Sequence, residues 1–141
     1  MEMNINFIAI LVAVVANFIL GFIWYTPLFG KAWAKEMGFD TSIKPTSGEM
    51  AKGMIFMVIG NFFLAYVFAH NIAAWSFVPG MEEMSTTVNI MNSAIFTWLG
   101  FYLPVDIGIV TWEKKSWKLF FINTGYHFVM LLVASLILTL M

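Results

Sequence analysis

"LFFINTGYHFVMLLVASLILTLM", residues Leu119–Met141, contains no aspartate, glutamate, lysine or arginine. A helix needs roughly 20 predominantly apolar residues to cross the hydrocarbon core of a bilayer, and this run supplies that length without an obligate charge. Working back along the chain, Ile5–Tyr25, Met54–Trp75 and Asn89–Trp112 have the same character. The apolar residues come in blocks rather than alternating with polar ones, which separates these runs from the one-sided helices and strands of a soluble core. Charged residues make up 11% of the chain, against about 25% in an ordinary soluble domain, so most of it belongs in lipid. Backbone groups in lipid must be satisfied within a helix or a closed barrel, and runs this long are helices. The expected fold is all-α, a membrane bundle of four transmembrane helices, with residues 1–141 forming a single integral membrane domain.

The segments between the runs set the expected orientation. All seven basic residues are lysines. Lys31, Lys35, Lys44 and Lys52 lie between the first two spans, and Lys114, Lys115 and Lys118 between the last two. The loop "SFVPGMEEMSTTV" carries only Glu82 and Glu83. By the positive-inside rule the lysine loops are cytoplasmic and both termini lie outside. Trp24, Tyr25, Trp33, Trp112 and Trp117 fall on the lysine side as expected interfacial anchors, with Trp75 at the other side. The first run has no basic segment before it and no small-residue cleavage pattern after it, so it reads as an uncleaved span. Within "PLFGKAWAKEMGF", Phe29, Trp33 and Met37 share one face, which predicts a short amphipathic helix in the headgroup layer. "TSGE", Thr46–Glu49, is a capping-box pattern opening the second span, and Ser85 can cap the third.

The pairs of spans also show weak similarity. "FMVIGNFF" (Phe56–Phe63) aligns with "FINTGYHF" (Phe121–Phe128), and "NFILGFIW" (Asn17–Trp24) with "PVDIGIVT" (Pro104–Thr111). A parallel duplication and chance similarity of apolar sequence are both open. "GFIWYTPLFGKAW" after the first span, "WLGFYLP" in the third and "GYHFVMLLVASLIL" in the fourth resemble the domain of unknown function 1761 family. The resemblance runs over nearly the whole chain and implies a small bacterial protein of the inner (plasma) membrane. It brings no reaction and no set of catalytic residues.

Polar side chains inside the spans are where chemistry can reside, because each must find a partner. Counted inward from the lysine side, Asn17, Asn61, Asp106 and His127 fall within one or two helical turns of a common level, one from each span. Tyr102 and Asp106 are spaced to share a helix face, as are Asn123 and His127, and the two pairs are expected to form a Tyr–Asp–His–Asn cluster. Pro104 removes a backbone donor and crowds the carbonyl of Gly100, which predicts a bend beside Asp106. Ala9, Ala13, Asn17 and Gly21 form a small-residue stripe suited to close helix packing, within the chain or between copies.

For Asp106 three readings are open: a structural partner of His127, a proton or cation site, or a solvated acid pairing with Lys114 or Lys115. His127 is a buried hydrogen-bonding group, a proton relay or a ligand. His70 sits at a different depth, poorly placed to share one ligand with it. With no cysteine, no His-x-x-x-His, no phosphate loop and no carboxylate pair, the sequence predicts no metal, no cofactor, no catalytic set and no nucleic-acid partner. Three functions remain. One is a proton- or ion-linked transporter or channel, with Asp106, His127, Tyr102, Asn17, Asn61 and Asn123 lining the path. The others are an accessory subunit of a membrane complex and, with least support, a membrane enzyme or redox protein. Beyond the lipid bilayer, the expected partner is a second copy of the chain or a larger complex.

Overall fold

The computed structural model describes residues 3–141 and is all-helical, with no strand among them. Its elements are α1 (Phe7–Ile23), a π turn (Trp24–Leu28), α2 (Gly30–Met37), α3 (Ser47–Trp75), a 3₁₀ turn (Met81–Glu83), α4 (Thr86–Thr97), a second π turn (Trp98–Tyr102), α5 (Leu103–Thr111) and α6 (Trp117–Leu140). Together they make four helical stretches long and apolar enough to cross a membrane: Phe7–Leu28, Ser47–Trp75, Thr86–Thr111 and Trp117–Leu140. The second begins at Ser47 rather than Met54. There the Thr46 hydroxyl accepts the Glu49 N–H while the Glu49 carboxylate accepts the Thr46 N–H at 2.8 Å, so the helix starts well before the apolar run does.

Helix α6 is the axis of the molecule, packing against α1, α3, α4 and α5, while α1 also packs on α3. Tyr126, Met130, Leu131 and Ala134 of α6 form the main core with Phe68 of α3 and Ala94 of α4. Ile10, Ala13 and Val14 of α1 meet Ala65 of α3 in a second core. The stripe Ala9, Ala13, Asn17 and Gly21 is buried within the chain, so α3 and α6 already occupy the surface it offers. A Cβ at Gly21 would stand 2.7 Å from the Met57 methyl and 3.0 Å from the Tyr126 hydroxyl. Asn6 ties the far end together: its Oδ1 accepts the N–H groups of Ile8 and Ala9, and its Nδ2 donates to the Met141 carbonyl at 3.0 Å.

The two prolines within the membrane-crossing stretches, Pro27 and Pro104, are accommodated by widened turns. Ahead of Pro104, the Leu103 N–H reaches back five residues to the Trp98 carbonyl. The extra residue relieves the crowding that a proline imposes on a regular helix, and the expected bend takes this form. Pro27 lies within the first π turn, where the Phe29 N–H donates to the Trp24 carbonyl at 2.9 Å. The chain then turns into α2 so tightly that a Cβ at Gly30 would come within 2.7 Å of the Tyr25 carbonyl oxygen. Helix α2 contacts α6. Its position is secured by Glu36, which accepts a 2.6 Å hydrogen bond from Ser116, the residue that caps α6.

Candidate functional site

Asp106 is the single buried residue of α5, so the only side chain this helix hides is a carboxylate. The second π turn places it. A widened turn adds one residue of phase, and α5 emerges with Asp106 facing α6. There the imidazole Nδ1 of His127 lies 2.8 Å from Asp106 Oδ2. The two are unequally covered, with 3% of the Asp106 side chain exposed and 25% of His127. The Tyr102 ring, on the same α4–α5 span one turn before the acid, lies against the imidazole at a centroid distance of 4.7 Å. With Asp106 ionised, Nδ1–H is the donor, and in the neutral imidazole Nε2 then carries the lone pair. No third carboxylate or histidine gathers with the pair among the described residues.

Asn123, one turn nearer the lysine side on α6, does not join the acid. Its Oδ1 accepts the Tyr25 hydroxyl at 3.1 Å, across from the first π turn. The Tyr25 ring packs edge-on against Tyr126 at 5.0 Å and Trp33 of α2 at 5.4 Å. Tyr126 in turn lies 5.7 Å from the His127 ring. The expected cluster therefore divides into two linked parts: Asp106, His127 and Tyr102 form one, and Asn123 with Tyr25 the other. Aromatic rings fill the space between them.

Asn17 and Asn61 lie in the seam of α1, α3 and α6, buried at 0% and 6% exposure, and neither makes a side-chain hydrogen bond among the described residues. The aromatic residues on the lysine side also sort into two groups. Trp112 and Trp117 stand out from the helices, 86% and 57% exposed, while Trp24, Tyr25 and Trp33 turn inward. The Trp24 indole donates to the Ile122 carbonyl at 3.0 Å, and the Trp98 indole donates to the carbonyl and hydroxyl of Thr124, both at 3.0 Å. Each tryptophan opens a π turn and fastens it to α6 on either side of Asn123.

Sequence reasoning gave Trp98 no role and read Tyr25 only as an anchor. The available signal was a tryptophan shortly before a proline in both spans, "WYTP" and "WLGFYLP". Glu36 had no local signal, because its partner is 80 residues away. Outside the spans, the Ser42 hydroxyl and N–H hold the exposed Asp40 carboxyl below its usual range, and this turn takes no part in the site.

Four apolar helices long enough to cross a membrane, with a covered acid paired to a histidine between two of them, mark a multi-pass membrane protein. The family described as "Protein of unknown function (DUF1761)" matches residues 8–139, and the chain belongs to it. No curated protein and no solved structure matches the chain.

Proposed function

We propose that this chain is a proton-handling membrane protein, a small transporter or channel in which Asp106 and His127 carry the proton. The observation that supports this reading is the 2.8 Å contact between a carboxylate and an imidazole inside the spans, with the acid covered and the histidine edge open. An ionisable residue at membrane depth costs roughly 2.5 kcal/mol or more, and packing alone is served better by an apolar side chain. An imidazole accepts a proton at one nitrogen while releasing one from the other, and the acid stabilises the cation between those events.

In this reading the lysine loops are cytoplasmic, both termini are outside, and the protein resides in a bacterial plasma membrane. Asn123 and Tyr25 lie between the pair and the lysine side, in position to govern access from there. A second copy covering the open edge of His127 would give the path its other wall.

The test is proton flux into vesicles containing the purified protein, read with an entrapped pH-sensitive dye. Wild type is expected to conduct, while Asp106→Asn and His127→Gln lose the flux with helix content retained. A folded Asp106→Asn protein conducting at the wild-type rate would overturn the reading, as would a wild type with no flux. Either result would favour an accessory subunit in which the pair only joins helices.

A further inference from the structure

The lysine side of the molecule carries a charged surface that the acid–histidine pair does not use. Residues 113–116 separate Trp112, at the end of α5, from Trp117, at the start of α6. Both indoles stand clear of their own bundle. An exposed indole at the end of a membrane-spanning helix belongs in the headgroup layer, where its ring meets the acyl boundary and its N–H meets water. Lys114 and Lys115 are each two residues from one of these tryptophans, a separation of at most about 7 Å along the backbone. The chain therefore holds both lysines within roughly one Debye length of that layer.

The backbone keeps them there. Lys114 has a φ of 58°, in the left-handed region that favours glycine, and the Lys115 N–H donates to the Ile109 carbonyl at 3.2 Å. The chain reverses sharply and α6 begins at once, so the lysines stay at the span ends instead of riding out on a long loop. Neighbouring acids leave them available. Glu36 of α2 is engaged elsewhere, accepting the Ser116 hydroxyl at 2.6 Å and lying 3.9 Å from Lys118 Nζ. Lys114 and Lys115 form no ion pair among the described residues, and Glu113 is the one acid in their connection. Lys31 and Lys35, exposed one turn apart on α2, extend the same sign of charge.

We infer that the α5–α6 connection is a docking surface for the headgroups of anionic phospholipids. Lys114 and Lys115 meet the phosphate, while Trp112 and Trp117 fix the depth at which they do so. The partner is a lipid rather than free phosphate, because a headgroup brings its anion to the level the flanking indoles occupy. At the opposite end of the bundle Trp75 is 58% exposed, but the connection beyond it carries Glu82 and Glu83 and no lysine. The preference for anionic lipid therefore belongs to one leaflet. It stands whether or not the acid–histidine pair moves protons.

The test is NMR of the ¹⁵N-tryptophan-labelled protein in phosphatidylcholine bicelles, titrated with phosphatidylglycerol. The indole N–H signals of Trp112 and Trp117 are expected to shift saturably, and that of Trp75 to stay in place. A lysine near an anionic surface contributes a factor of about five, so Lys114→Gln with Lys115→Gln should weaken the apparent affinity at least tenfold. Lys44→Gln with Lys52→Gln, equal in charge change, should leave it unaltered. Wild-type Trp112 and Trp117 signals that move no more than that of Trp75 would overturn the surface, even if a variant fails to fold. An unchanged affinity in the folded Lys114 and Lys115 variant would do so too, as would an equal loss in the Lys44 and Lys52 variant. Inorganic phosphate producing the same shifts at matched ionic strength would overturn the choice of a lipid.

Discussion

Burial sets how much each polar side chain matters. Asp106 and His127 satisfy each other, so removing either leaves the other unpaired in a low-dielectric setting. Asp106→Ala and His127→Ala are each expected to destabilise the protein by about 2–3 kcal/mol, and the double variant by clearly less than their sum. Unfolding in mixed micelles at increasing denaturing detergent measures all three. Additive losses would mean that the 2.8 Å contact contributes nothing to folding. At this scale the sequence was informative about spacing: Tyr102 and Asp106, like Asn123 and His127, sit one turn apart and share a face. It was silent about partners, because Asn123 is as well spaced to join the acid as to meet Tyr25.

Among the elements, the π turns do the positioning. An α-helix advances about 100° per residue, so one extra residue in a turn rotates everything beyond it by that angle. Deleting Phe101, which is 72% exposed in the second π turn, is expected to restore a regular helix and swing Asp106 away from α6. Helix content should survive while the His127 Nδ1–H···carboxylate signal disappears from the NMR spectrum. Phe101→Leu, which preserves the length, should retain it. A deletion variant that kept the signal would show that the tryptophan bond to Thr124, rather than the widened turn, sets the phase. Pro104 made a bend legible in the sequence. Whether it would appear as an open kink or as a phase shift depends on what the freed carbonyl meets, and that is a tertiary matter.

Across the whole molecule, α6 binds the other helices together, and its two faces should respond differently to truncation. Leu131 is 1% exposed in the main core, while Phe121 is 65% exposed on the outward face. Leu131→Ala is expected to cost about 2–3 kcal/mol through lost packing, whereas Phe121→Ala, facing lipid, should cost far less. The same detergent titration compares them, and equal losses would contradict a core centred on α6. The sequence by itself determined the class: uncharged apolar runs of this length can satisfy their backbones in lipid only as helices. The capping box at Thr46 and the depth of each polar residue were equally legible, since both follow from local chemistry and position along an axis. Only the tertiary structure decided which polar residues meet. It paired Asp106 with His127 and Asn123 with Tyr25, and it left Asn17 and Asn61 in a separate seam. Depth along a helix is counted in residues, but rotation about its axis is set by packing and by two single-residue shifts of phase.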